Sequence, residues 1–229
     1  LGPDGWDVGE GRAKPRLSCL RCADSEGLMP EKTLKRAYKG FTREAVEALS
    51  GLKDEPGWML QRRLEAWRVY EETPMPRPDE ELWRRTDISG LHLDEVAPFA
   101  EPVASRSLLR DVPEAAQALL PDGSGAGVLV HHSGWPVYQR LTEGLASKGV
   151  VFTSLEAALR DCPDLVREYL MGAAVPPAEG KFAALSGALW SGGTLVRVPP
   201  GVQVDVPLYA LVWAEGPDAG LFPRTVIVA

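Results

Sequence analysis

The last fifty residues constrain the fold most. Thr194, Val196 and Val198 share one parity, and Val202, Val204 and Val206 share the next, with Gln203 and Asp205 opposite. That is the period of an extended strand with one buried face, because successive strand side chains point to opposite sides. Ser191-Gly-Gly193 and Pro199-Pro-Gly201 punctuate the runs, and no apolar stripe at helical spacing is read anywhere in 181–229. Strand, tight Gly/Pro corner and strand again, without crossover helices, is the cadence of a β-sandwich or a β-solenoid. Two coils would fit here on the roughly 20–45-residue repeat scale, fewer than the about three needed for independent stability. A solenoid of that size is expected to expose an open end and self-associate.

The chain of 229 residues carries 25 Lys+Arg against 32 Asp+Glu, a formal net charge of −7. With 45% hydrophobic and 25% charged residues it falls in the globular range. The acidic balance disfavours nucleic acid, whose phosphates call for clustered Lys and Arg. No apolar run approaches the ~18 residues of a membrane-spanning helix. Three cysteines cannot build a disulfide framework, and their scarcity fits a reducing cytosol. The sequence opens on Leu1 rather than Met and closes on the apolar run Arg224–Ala229, which reads as part of a longer protein.

Four regions are expected. Residues 1–32 read as a flexible tail, with four glycines before Leu17 and little periodicity. The pair Cys19 and Cys22 in that tail is at most half a zinc site, since Cys162 is the only further cysteine. Residues 33–112 read as an N-terminal helical region, with helical signals from Thr33 to about Leu93. Thr42 is placed as an N-cap with Glu44 in the first turn, Phe41 and Val46 form a hydrophobic staple, and the helix stops at Ser50-Gly51. A second helix starts near Asp54-Glu-Pro56 and carries Leu60, Leu64 and Trp67 on one stripe. Pro74, Pro76 and Pro78 then enforce an extended spacer, and Trp83 and Ile88 mark a short element that packs back. Trp58, Trp67 and Trp83 are assigned to a helical core rather than to a ligand cage.

Residues 113–180 read as a small α/β region. A helix over Pro113–Leu120 leads into the Gly-rich run Pro121–Gly127, a turn that lacks the Gly-Lys-Ser/Thr ending of a phosphate loop. Val128–Val130, a helix over Pro136–Lys148 with Val137, Leu141 and Leu145 on one face, and Val150–Phe152 make a βαβ-like unit. Gly149 ends that helix, Thr153 with Glu156 supplies a capping box for the next, and Asp164–Met171 is helical. His131 and His132 are adjacent on a strand, so they face opposite ways and cannot share a metal; His92 has no partner in view. Gly192, Gly193 and Gly201 are read as corner glycines with positive φ, and Trp190 as core.

Lys181-Phe-Ala-Ala-Leu-Ser-Gly-Ala-Leu-Trp-Ser-Gly-Gly-Thr-Leu-Val-Arg-Val-Pro-Pro-Gly-Val-Gln-Val-Asp-Val-Pro-Leu208 resembles the signature stretch of the SufB/SufD family, scaffold proteins of the SUF iron–sulfur cluster assembly system. Leu221–Val228, Gly40–Glu47, Glu55–Trp67 and Gly149–Leu159 are similar to other parts of the family, so the resemblance covers roughly 38–229. The runs Glu81–Asp87 and Leu208–Trp213 favour a SufD-like member.

The resemblance implies an α+β fold, an N-terminal helical region followed by the start of a right-handed parallel β-helix, with 181–229 as the first coils of its core. It implies a non-catalytic, cytoplasmic scaffold that pairs with a SufB/SufD paralogue and a SufC-type ATPase. The iron–sulfur cluster belongs to the full complex. The family's sulfur- and cluster-handling residues lie late in the β-helix and none maps here, so no catalytic, cofactor-binding or metal residue is assigned, Cys162 and His131 included. Two other classes compete. A carbohydrate-active enzyme on a β-helix would need clustered carboxylates, where 181–229 offers Asp205, Glu215 and Asp218. A small-molecule binding module on the unit at 128–152 has only the Gly-rich turn in its favour.

Overall fold

The structure, a computed structural model, describes residues 38–120, 125–215 and 219–229. The expectations for the 1–32 tail, Cys19 and Cys22 among them, fall outside the described residues, as does 121–124 of the Gly-rich run.

Helix α1 spans Arg43–Leu52, and Thr42 caps it by accepting the Ala45 N–H at 3.2 Å. Phe41 packs against the same cluster as Val46, as the staple requires. The helix runs one residue past Gly51, and Lys53 is its C-cap, followed by Asp54 at φ 50°. Helix α2 spans Gly57–Glu72 behind Pro56. Its buried face is Met59, Arg63, Ala66 and Trp67; of the expected stripe of Leu60, Leu64 and Trp67, Trp67 is buried and the two leucines are half-buried on the flank. No helix follows until residue 109: residues 73–108 run through the prolines in extended chain and turns, and Trp83 packs back on Phe182 at 5.4 Å between ring centroids. A 3₁₀ turn at Leu109–Asp111 and the short helix α3 at Glu114–Gln117 precede the first strand.

Strand β1 (Gly127–His132) and strand β2 (Trp135–Leu141) form an antiparallel hairpin. The expected helix over Pro136–Lys148, and with it the βαβ-like unit, is therefore corrected. Ser133 and Gly134 have φ of 48° and 86°, the two positive angles of a two-residue hairpin turn whose twist matches its strands. Pro136 is tolerated because β2 lies at the sheet edge. Helix α4 shrinks to Glu143–Ala146, and Gly149 closes the following turn at φ 79°. Strand β3 (Val151–Ser154) leads into helix α5 (Leu155–Asp161), whose cap is Ser154 rather than Thr153, accepting the Ala157 N–H at 3.1 Å. Helix α6 follows at Pro163–Tyr169.

The expected β-helix start is also corrected. Lys181–Leu189 is helix α7, and no solenoid is seen among the described residues. Its apolar residues surround the helix instead of striping it: the consecutive Phe182, Ala183, Ala184 and Leu185 turn through about 300° and no residue of the helix is exposed, and a helix covered on several sides shows no single periodic face. Strands β4 (Gly193–Arg197), β5 (Leu208–Trp213) and β6 (Arg224–Val228) follow. Val202–Val206 is not a strand; Val202 and Val204 plug a small cluster with Ala126, Leu145 and Val150. The strands enter two mixed three-stranded sheets, β2-β1-β5 and β3-β4-β6, each an antiparallel pair completed by a parallel strand.

One core joins Met59, Leu155, Leu159, Val166, Leu170, Trp190 and Leu195, and a second joins Val46, Leu49, Ala66, Trp67, Leu185 and Leu189. Trp67 and Trp190 are core, as read from the sequence; Trp58 and Trp83 are only half-buried.

Candidate functional site

The most concentrated chemistry lies where the ends of α1 and α7, the β1–β2 turn, α5 and the head of β4 converge. Four charges are buried there as two pairs. Arg63 on α2 forks onto Glu55, its Nε and Nη2 donating to the two carboxylate oxygens at 2.7 and 2.6 Å. The same guanidinium donates to the Ala188 and Trp190 carbonyls at 2.9 and 3.1 Å, satisfying the C-terminal end of α7. It also lies 4.3 Å from the centroid of the Trp190 ring. Arg suits this position because its planar fork serves carboxylate, carbonyls and an aromatic face together.

Lys53 holds the second pair. Its Nζ donates to Glu156 Oε1 at 2.6 Å and to the Gly134 carbonyl at 3.1 Å, and it sits 4.3 Å over the Trp135 ring. Burial pulls the Lys53 ammonium below its ordinary value, opposed by the Glu156 charge. Glu156 stands in the first turn of α5, where the helix dipole favours a carboxylate.

His131 completes the junction. It is 1% exposed, and its Nε2 accepts the Gly193 N–H at 3.2 Å. An accepting Nε2 places the ring proton on Nδ1 and makes the ring neutral. Burial lowers its pKa, with the Glu156 charge opposing. Gly192, at φ 78°, brings its backbone onto the imidazole: a Cβ there would lie 3.0 Å from His131 Cδ2. Gly193 differs from its expected role. It is not a positive-φ corner but the tight start of β4, where a Cβ would collide with the Arg224 carbonyl and Leu155. Gly201 does take positive φ, at 75°.

His132 faces the other way, as strand alternation requires, and its Nε2 lies 3.2 Å from Glu215 Oε2. Asp205 accepts from Gln203 at an exposed site, and Asp218 falls outside the described residues. Among the described residues of 181–229, Asp205 and Glu215 thus have separate partners, Gln203 and His132. Among the described residues no three of His, Cys, Asp and Glu cluster as metal ligands, and no helix is long and apolar enough to cross a membrane.

Two clefts lie elsewhere. One of about 380 Å³ runs between Pro74, Pro76, Trp83 and the start of α7 at Lys181–Ala183; the other, about 270 Å³, is flanked by Trp58, Arg62 and Arg167. Neither reaches the junction. Closed from solvent, with Lys53 and Arg63 each held on a carboxylate and on backbone carbonyls, the junction ties neighbouring elements together. Sequence reading named His131 and the glycines but gave Lys53, Glu55 and Arg63 no role. Arg63 carried a signal, for it falls four residues after Met59 and four before Trp67, on the face that must be buried.

Residues 36–209, about three-quarters of the chain, match a family model described as SufBD protein N-terminal region. The iron-sulfur cluster assembly protein SufB of Bacillus subtilis is 34% identical over 207 residues, covering 84% of this chain and 42% of the relative. An iron-sulfur cluster assembly SufBD family protein of Mycobacterium tuberculosis is 33% identical over 207 residues, 84% of this chain and 23% of the relative. One from Staphylococcus haemolyticus is 34% identical over 208 residues, 85% and 42%. The chain spans less than half the length of these relatives.

Proposed function

The chain belongs to the SufBD family, and from that premise we propose that it is the N-terminal part of a non-catalytic scaffold for iron–sulfur cluster assembly in the cytoplasm. The observation that carries this reading is the continuous family match over 36–209, joined by relatives named for cluster assembly. A scaffold reading also suits the geometry: the densest polar site is closed and tied to neighbouring backbone, the design of a rigid support. The cluster is cargo of the assembled complex, and its ligands belong to other parts of it. The partners are a SufB/SufD paralogue and a SufC-type ATPase. The SufD-like assignment rests on the runs Glu81–Asp87 and Leu208–Trp213.

The test is co-expression of the full-length protein containing this chain with a SufC-type ATPase and, separately, with SufB and SufD partners. The expected result is a stable complex with the ATPase and preferential pairing with SufB. Complementation follows in a strain whose iron–sulfur enzymes depend on the SUF system, read as recovered aconitase activity. Failure to bind the ATPase together with failure to restore that activity overturns the reading. Preferential pairing with SufD reverses only the paralogue assignment.

A further inference from the structure

Three buried side-chain polar atoms in the junction have no hydrogen-bond partner, the donor Trp190 Nε1, His131 Nδ1 and the acceptor Glu156 Oε2. Glu156 Oε2 lies 4.0 Å from His131 Nε2, the nitrogen that now accepts from Gly193. The other carboxylate oxygen is held by Lys53, so the free one stays aimed at the ring. Every other polar link at the head of β4 is backbone or hydroxyl: the Ser191 N–H donates to the Phe222 carbonyl at 3.1 Å, Ser191 Oγ accepts the Phe222 N–H at 3.0 Å, and the Arg224 N–H donates to the Gly192 carbonyl at 3.2 Å. The imidazole is therefore the one titratable acceptor among the contacts that seat Gly193.

We propose that His131 is a proton-operated latch that holds the head of β4 when neutral and, when protonated, keeps the added proton on Nε2, donates that N–H to Glu156 Oε2 as a hydrogen bond and lets Gly193 go. The proton comes from solvent and no covalent bond changes. A protonated Nε2 is a donor and cannot accept the Gly193 N–H. Two donors then face each other, and the nearest acceptor without a partner is the Glu156 oxygen. Taking it up requires the ring to move toward α5 and off Gly192-Gly193. The charged groups around the ring set the response: Glu156 on α5 favours the protonated ring, and Lys53 at the end of α1 disfavours it. Farther out lie Arg63 on α2, neutralised by Glu55 just ahead of that helix, and Arg224 on β6, whose charge Arg63 opposes. The His132–Glu215 pair lies on the opposite face of β1. Gly193 pairs with Arg224, so release loosens the β4–β6 register from its first residue.

The latch is tested on the full-length protein containing this chain, labelled with ¹⁵N at histidine, by NMR of the His131 ring and by amide exchange at Gly193, between about pH 5 and pH 8. The expected result is an Nδ1–H tautomer at neutral pH. As the ring titrates, Gly193 protection falls about tenfold beyond the intrinsic change in exchange rate. His131→Gln, which keeps an acceptor for Gly193 but does not titrate, removes that fall. Glu156→Gln moves the ring's titration to lower pH. An Nε2–H tautomer at neutral pH, Gly193 protection that ignores the ring's titration, or an unchanged fall in His131→Gln each overturns the proposal. Should Glu156→Gln fail to fold, the His131→Gln comparison decides alone.

Discussion

The junction around Lys53 and the stretch from Thr73 to Val112 both carry ion pairs, and they use them in opposite ways. In the junction, Arg63–Glu55 and Lys53–Glu156 are out of water, and both cations reach backbone carbonyls and aromatic rings as well. In the connector, Arg77–Asp79 and Arg84–Glu81 are solvent-exposed, and Leu82 beside them is 90% exposed. Where water is excluded, a charge that loses its partner finds no substitute; where water is present, it finds one at once. The junction is therefore brittle and specific, and the connector is redundant.

The sharpest way to break the contrast is Arg63→Ala. It leaves Glu55 buried without its partner and the Ala188 and Trp190 carbonyls at the end of α7 without the guanidinium donors they accept from, so it should cost about 4 kcal/mol or prevent folding, read from urea unfolding by circular dichroism. A loss no larger than that of a connector variant would erase the distinction. Gly193→Ala comes next, at about 3 kcal/mol, because the new Cβ meets backbone and a packed leucine that cannot both retreat. The pH dependence has a defined sign. His131 has its pKa lowered from 6.5 by burial, so the unfolded chain binds the proton first. Its contribution is complete above about pH 6.5 and is lost as pH falls below that value toward the folded pKa. His131→Gln should flatten this limb of the stability profile in urea titrations at stepped pH. Thr42→Ala should cost about 1 kcal/mol by removing the α1 cap. Arg77→Ala should stay within about 0.5 kcal/mol, and a larger loss would show that the connector is not redundant.

Local chemistry made parts of this legible from sequence. The Thr42 cap, the entry of α2 behind Pro56 and the positive φ of Gly192 each depend on a few neighbouring residues. Periodicity alone does not separate helix from strand at β2, because Val137, Leu141 and Leu145 fit helical spacing while Trp135, Val137, Gln139 and Leu141 also alternate. The deciding signal was Ser133-Gly134, a two-residue hairpin turn. α7 was hidden by being buried on more than one side. The junction had no local trace as a unit, since Lys53 and Glu156 stand 103 residues apart. Family resemblance found the right family, and the expected coil architecture did not follow from it.

The completion of each sheet by a distant strand has a temporal consequence. During synthesis β1 emerges long before β5 at residue 208, and β4 before β6 at residue 224. Until those partners leave the ribosome, one side of each nascent strand pair offers bare amides and carbonyls to any passing extended peptide. The window for a chaperone to shield this chain thus opens once β1 and β2 have emerged and closes only when β6 has docked.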